Sequence, residues 1–321
     1  MQPLFITSGD LIADRRYDAA RHYWLRGDLL AAADIMAQAV EAAPRFASAW
    51  FALGEIRDQL GDRDGAIAAF REARAADVDD RHGAGLHLMR LGAEPLGVMP
   101  EAYVRTLFDQ YAPEFDRALL ESLRYRGPRV LRDAVLAALH AACRTPEFSR
   151  AIDLGCGTGL GARAFDRYAT ELIGFDLSPG MIGEARSTGL YNRLEIGDMV
   201  ALLKAEADGS ADLVFAADAL VYLADLTPLF AEVRRVLSPS GLLTFTVETH
   251  AGDAVILGAG LRYQHGKAGL RRTLEGADFR LLTLSEVSTR DESNVPVPGL
   301  VAVAVPGAAL HEPSTASCRL T

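Results

Sequence analysis

The chain has 321 residues, half of them hydrophobic and 24% charged, with a formal net charge of −10. Those values fit a soluble globular chain of two domains. The acidic balance, without a dense Lys/Arg run, argues against a nucleic-acid partner held by phosphate contacts. Three scattered cysteines (Cys143, Cys156, Cys318) lack ligand spacing, so reduced thiols in a cytoplasm are expected rather than a metal site or a disulfide framework.

Residues 1–10 have no basic stretch followed by an apolar one and do not read as a signal peptide. No run approaches the ~18 apolar residues of a membrane span, so a cytoplasmic protein without a membrane partner is expected. Self-alignment at an offset of 34 pairs Gly27 with Gly61, Asp28 with Asp62, Ala32 with Ala66, Met36 with Phe70 and Ala39 with Ala73. A helix–turn–helix period of that length is the tetratricopeptide signature. Trp50, Leu53, Gly54, Ala66, Phe70 and Ala73 match its second unit; the first departs at Arg16, although Pro44 fits its closing position. Two units and a capping helix near 81–91 give an all-α domain over residues 1–95. It reads equally as a groove for a peptide or protein partner, as a self-association surface, or as a cap on the next domain.

Gly92, Pro95, Gly97 and Pro100 form a linker, and residues 96–306 form the second domain. Apolar spacing from Tyr103 to Leu123 predicts helices broken near Pro113, and Gly127-Pro128 opens another helix. Residues 151–160, Ala-Ile-Asp-Leu-Gly-Cys-Gly-Thr-Gly-Leu, read as a buried strand, a glycine loop and the start of a helix. Gly155, Gly157 and Gly159 leave bare backbone on which a nucleoside ligand can lie. Asp153 sits at the strand's carboxyl end, where open α/β sheets bind ligands. Further strands follow at 171–176, 194–198, 211–218 and 241–248, with a closing pair at 280–287 and 299–305. Strands alternating with helices imply a doubly wound parallel sheet. Asp176 ends the second strand, 23 residues after Asp153 (176 − 153), where a βαβ unit places an acid for both ribose hydroxyls. Tyr222, four residues after Asp218, is expected on the same helical face.

The dinucleotide pattern needs glycine at position 160, where Leu160 stands. With its G-x-G-x-G rhythm and strand-end acids at Asp153, Asp176 and Asp198, the segment resembles a class I S-adenosylmethionine-dependent methyltransferase. In particular it is similar to predicted bacterial methyltransferases with N-terminal tetratricopeptide repeats. The resemblance implies an α/β Rossmann-like, doubly wound, seven-stranded sheet. It also implies S-adenosyl-L-methionine as cofactor and S-adenosyl-L-homocysteine as product.

Site roles follow from the resemblance. Gly155, Cys156, Gly157, Thr158 and Gly159 would line the cofactor, with Asp153 orienting its methionyl end. Asp176 and Leu177 would take the ribose, and Asp198 and Met199 the adenine. Asp218 would border the methyl-transfer site beneath Tyr222, and Tyr103 and Tyr111 would form a lid. His250 and His265 are the candidate bases if the acceptor must lose a proton. Arg262, Arg271 and Arg290 are candidates to bind an anionic substrate, with a solvated role the stronger reading for each. No metal is needed for in-line methyl displacement. The fourth strand carries Ala-Ala-Asp-Ala in place of the Asn/Asp-Pro-Pro-Tyr of base- or glutamine-methylating enzymes. A small-molecule acceptor is therefore the first expectation. A protein methyltransferase or cofactor-binding interaction protein guided by the repeats is the alternative, and an NAD-dependent oxidoreductase follows. Residues 307–321 are expected to be a flexible tail.

Overall fold

The computed structural model describes residues 4–307; Cys318 and residues 308–321 of the expected tail lie outside the described residues. Two compact units result, one of residues 4–106 with Leu257–Leu261, the other of Leu107–Ile256 with Arg262 onward. The expected boundary at 95/96 lies before α6 (Glu101–Tyr111), whose first residues group with the helical unit.

The helical unit is built from α1 (Leu11–Leu25), α2 (Leu29–Ala42), α3 (Ala47–Gln59), α4 (Arg63–Ala76) and α5 (Ala84–Arg90). The paired Gly-Asp turns work alike. Gly27 and Gly61 adopt φ of +81° and +79°, a conformation that favours glycine, and Asp28 and Asp62 then cap α2 and α4 through the amides of Ala31 and Gly65. Gly54 lets α3 and α4 approach: a Cβ there would lie 2.6 Å from the Phe70 ring. Ala32, Met36, Leu53, Ile56 and Phe70 are fully buried. The segment before α1 is tied down, with the Ile6 amide donating to Ser48 Oγ (2.8 Å) and Phe5 packing on Tyr17 (5.0 Å between centroids).

The α/β unit contains the rest of α6, α7 (Phe115–Arg117), a π-helical turn (Ala118–Ser122) and α8 (Gly127–Ala141) ahead of the sheet. Its strands are β1 (Phe148–Leu154), β2 (Ala169–Asp176), β3 (Arg193–Ile196), β4 (Ala211–Ala216), β5 (Leu237–Glu248), β6 (Val255–Leu257), β7 (Tyr263–His265), β8 (Phe279–Val287), β9 (Asp291–Glu292), β10 (Val295–Pro296) and β11 (Gly299–Pro306). The main path runs β3-β2-β1-β4-β5-β11-β8. Its first five strands pair in parallel, whereas β11 is antiparallel to both β5 and β8. Helices α9 (Leu160–Phe165), α10 (Pro179–Ser187), α11 (Met199–Lys204), α12 (Thr227–Val236) and α13 (Lys267–Gly276) supply the crossovers.

Alternate side chains feed two cores. Val214 joins Ile152, Phe230 and Phe245 on one side, while Phe215 joins Leu131, Phe165 and Val303 on the other. Burying each such aliphatic or aromatic side chain contributes about 1.5–3 kcal/mol. Two apolar layers thus hold the sheet and leave the carboxyl edges of β1, β2, β4 and β5 free of core duty. The order reverses between β1 and β4, which puts a switch point beside the glycine loop.

One expectation fails here. Asp218 and Tyr222 do not share an α-helix, because Asp218 leaves β4 at φ +54° and only a short 3₁₀ turn, Leu220–Tyr222, follows. Thr246 is the cause: its Oγ accepts from the Asp218 amide (2.9 Å) and donates to the Asp218 carboxylate (2.7 Å), fixing the chain as it leaves the strand.

Candidate active site

The loop after β1 is shaped by what it cannot hold. Gly155 has φ +68°, and a Cβ there would fall 2.4 Å from that of Ala219; Gly157 is also left-handed, at +53°. Backbone is therefore exposed where side chains would otherwise stand. Asp176 braces the loop, one carboxylate oxygen accepting from the Gly157 amide and the other from Ser178, each at 2.9 Å. Burial raises its carboxyl above the usual range, and the amides of Ser178, Gly157 and Leu177 oppose that rise. Cys156 contributes backbone: its amide donates to Phe175 O (2.9 Å), and burial pushes its thiol well up. Thr158 Oγ donates to Asp116 (2.5 Å).

Asp153 is 1% exposed beneath the loop and accepts from the Tyr191 hydroxyl at 2.7 Å. Burial raises its carboxyl to about 7; the Tyr191 hydrogen bond opposes this and the charge of Asp176 adds to it. Asp198 caps α11 by accepting from the Ala201 amide (2.8 Å), with Met199 half-buried behind it. Leu177 lies half-buried between Asp176 and the α10 cap, Ser178.

An aromatic chain extends from the loop. Phe115 faces Gly157, Tyr111 and Phe108 pack edge-on to Phe115 (5.4 and 5.9 Å), and Phe108 meets Tyr222 edge-on at 5.3 Å. Tyr111 thus packs on Phe115 next to the glycine loop, and Phe108 packs on the same ring. Asp109, on α6, reinforces that cover by accepting from Ser178 Oγ (2.5 Å) and the Gly180 amide (3.0 Å). Tyr103 belongs to the helical unit, where its ring lies against Gly83, and is not among the groups gathered by the α/β unit.

The ends of β4 and β5 carry an ion-pair network. Asp218 accepts from Thr246 and from Thr289 Oγ (2.6 Å), with Arg290 3.6 Å away. Arg290, 5% exposed, also pairs with Glu248 and with Glu292 (3.2 Å), and Arg262 bridges the same two glutamates. Solvated roles for Arg262 and Arg290 are thus overturned: both guanidiniums are needed to balance buried carboxylates. Arg271 fits its expected role, half-exposed and 4.0 Å from Glu275. Burial alone would raise Glu248, but the two guanidiniums outweigh it and hold its carboxyl low. Tyr125 lies in the turn beside this region, where the next residue, Arg126, donates its amide to Thr289 O (2.8 Å); burial raises its phenol well above normal, and the charge of Asp218 adds to that.

Both candidate histidines are committed. His265 is 3% exposed, its Nε2 lies 3.1 Å from Leu223 O, and burial lowers it to about 4. His250 bridges its own turn, Nε2 to Ala254 O at 2.7 Å and Nδ1 accepting from Gly252 at 3.1 Å. Among the described residues no cluster of three metal-ligating side chains occurs, and no helix is long and apolar enough to cross a membrane.

Residues 152–245, spanning the loop, the strand-end acids and β4–β5, match the family model of a methyltransferase domain. This region is a class I S-adenosylmethionine-dependent methyltransferase domain. Its cofactor is S-adenosyl-L-methionine. The human methyltransferase-like protein 27 is 31% identical over 46% of this chain and 58% of its own length. The malonyl-[acyl-carrier protein] O-methyltransferase of Methylovorus is 32% identical over 46% of this chain and 51% of its own. The chain thus spans about half the length of the curated relatives it matches. A Burkholderia thailandensis 1,6-didemethyltoxoflavin N1-methyltransferase, solved with that compound and S-adenosylhomocysteine, shares the fold at a TM-score of 0.51. That match has 18% identity, over 66% of this chain and 92% of that one. The methyltransferase domain accounts for the glycine loop without a dinucleotide, and nothing supports an oxidoreductase.

Proposed function

We propose that the chain is a methyltransferase acting on a small organic acceptor. The observation that carries this reading is the glycine loop braced by Asp176 inside the matched segment. The loop suits the cofactor, since a Cβ at Gly155 would collide with Ala219 and the left-handed glycines keep the backbone bare. Asp153 would orient the methionyl end, Asp176 and Leu177 would hold the ribose, and Asp198 with Met199 would hold the adenine. When bound, S-adenosylmethionine supplies an electrophilic methyl group on a cationic sulfur.

The chain's own contribution is placement and dryness. Phe108, Tyr111, Phe115 and Tyr222 form an apolar cover next to the loop, which excludes water and offers ring faces to a cation, each such contact being worth about 0.5–2 kcal/mol. Asp218, fixed by Thr246 and Thr289, gives the acceptor side a rigid edge. Positioning a nucleophile at near-attack distance can supply most of the acceleration. The helical hairpins, with matched Gly-Asp turns and the Gly54–Phe70 contact, support a tetratricopeptide-type unit.

Calorimetry with S-adenosylmethionine and S-adenosylhomocysteine tests the reading. Micromolar-range binding, with no binding of NAD, is the expected result. Failure to bind either sulfur compound would overturn the assignment.

A further inference from the structure

The 34-residue period of the helical unit carries polar side chains as well as packing ones. Asp14, Ser48 and His82 stand 34 residues apart (48 − 14 and 82 − 48), so they take the same position in three successive units, near the starts of α1, α3 and α5. All three meet the segment that precedes α1. Asp14 accepts from the Ser8 amide (2.9 Å), Ser8 Oγ (2.7 Å) and Thr7 Oγ (2.5 Å). Ser48 Oγ accepts from the Ile6 amide (2.8 Å) and donates to the Ile6 carbonyl (3.2 Å). His82, its Nε2 3.0 Å from Ser48 Oγ, hydrogen-bonds to the Leu4 backbone. Residues 8, 6 and 4 thus meet three units in turn. They are half-buried while residues 5, 7 and 9 are exposed, the alternation of an extended chain.

The face is built more completely than the segment lying on it. Ser48 is 1% exposed and His82 7%, and buried polar groups of this kind need partners, which the segment's backbone supplies. Phe5 packs on Tyr17 (5.0 Å) and edge-on to Phe46 (6.0 Å), two fully buried rings, yet remains 43% exposed itself. No residue from 4 to 10 is buried, so little apolar contact opposes local release of the segment.

We propose that this face of the helical unit docks an extended segment of a partner protein, and that residues 4–8 hold it closed in cis. The partner segment carries an aromatic residue followed two and three residues later by hydroxyl residues. That chemistry is set by the occupant in place: Phe5 fills the slot on Tyr17 and Phe46, while Thr7 and Ser8 bring the donors that Asp14 takes. A segment tethered through Gly9 and Asp10 competes at an effective concentration on the order of millimolar, so a partner docks by displacing it.

The test uses the full chain and a fluorescein-labelled peptide of residues 4–9. In the Phe5→Ala, Ile6→Pro variant the ring leaves its slot and Ser48 loses its amide donor, so the peptide should bind saturably by fluorescence anisotropy. Wild type should bind it at least tenfold more weakly. A peptide that keeps only Phe-x-Thr-Ser among altered neighbours should bind the variant within threefold of the first. Peptides with Ala in place of Phe, or Val-Ala in place of Thr-Ser, should lose at least tenfold, as should the intact peptide once Ser48→Ala is added to the variant. Hydrogen exchange on wild type requires no variant to fold: excess unlabelled peptide should speed exchange at residues 4–8. Exchange there that ignores the peptide, no binding to a folded released variant, or equal binding to variant and wild type overturns the proposal. So does binding indifferent to the aromatic residue and to Ser48, or confined to the chain's own sequence. A wild-type dimer by light scattering, with exchange at residues 4–8 rising on dilution, gives the face to a second copy and overturns it as well.

Discussion

Replacing Asp153 with Asn tests whether the acid under the loop is held for the cofactor at a cost to the empty protein. Its carboxyl moves from 3.8 to about 7 on folding, mainly through burial. A raised acid stabilises the fold fully below its unfolded value, and that stability is lost as pH rises through about 7. At about 1.36 kcal/mol per pKa unit, the ionised group costs the cofactor-free fold up to about 4 kcal/mol above that pH. Asn has nearly the same shape and its side-chain oxygen can still accept from Tyr191, but it carries no charge. Asp153→Asn should therefore melt close to wild type at pH 4 and higher at pH 8. The difference should be roughly 5–15 °C, at about 2–4 °C per kcal/mol for a domain of this size. Differential scanning calorimetry at pH 4 to 8 reads this, and calorimetric titration on the same samples supplies the functional half. In wild type, S-adenosylhomocysteine affinity should rise with pH through about 7, as the carboxylate becomes available to the methionyl ammonium; in Asp153→Asn it should be weak and flat. A melting difference that stays constant from pH 4 to pH 8 would refute the reasoning.

Three further substitutions separate the parts of the site. Asp176→Ala removes the acceptor of two amides and the candidate ribose contact, and should weaken S-adenosylhomocysteine binding at least tenfold by calorimetry. Asp176→Asn, which can still accept once, should fall between the two. Gly155→Ala adds a Cβ 2.4 Å from Ala219 at φ +68°, so thermal melts should show a loss of about 1–3 kcal/mol. Pairing it with Ala219→Gly should recover only part of that loss, because the contact is relieved and the backbone strain is not. Thr289→Val takes one donor from Asp218 and should cost about 1–2 kcal/mol in a denaturant titration. It should leave S-adenosylhomocysteine affinity within twofold, since that hydroxyl works on the acceptor side.

The glycine loop and its brace were legible because their signals are local in sequence. A glycine loop must follow directly on its strand, and Asp176 stands one βαβ unit later. The 34-residue offset was legible for the same reason, as each Gly-Asp turn and its packing partners fall within one period. The acceptor half was not. Arg290 meets Asp218 and Glu248 only because the segment between β8 and β11 returns beside β4 and β5, and no spacing announces contacts across 72 (290 − 218) and 42 (290 − 248) residues. Buried arginine is rare enough that solvated was the better prior. The supposed helical face joining Asp218 to Tyr222 failed because a hydrogen bond from β5 decided the backbone conformation, and periodicity cannot register that. Tyr125 gave no signal either. It is an aromatic in a turn whose neighbours, Arg126 and Leu123, bond to Thr289 and Asp291.

These contrasts explain why the two halves of the site are built so differently. The proposed cofactor side uses backbone amides and the Asp176 carboxylate, which the glycine loop brings together. The proposed acceptor side is closed by segments distant in sequence, the turn at residues 123–126 bonding to residues 288–291. A buried ion pair is a poor source of net stability, because desolvating both charges offsets much of their attraction. Arg290 is better understood as fixing geometry: it ties Asp218, just beyond β4, to Glu248 on β5 and to Glu292 on β9. Removing the guanidinium would leave Asp218 without its cation and Glu248 and Glu292 with Arg262 alone, and breaking such a buried pair typically costs about 3–5 kcal/mol. Acceptor specificity in such a site can change through the residues around Arg290 while the glycine loop and Asp176 stay as they are.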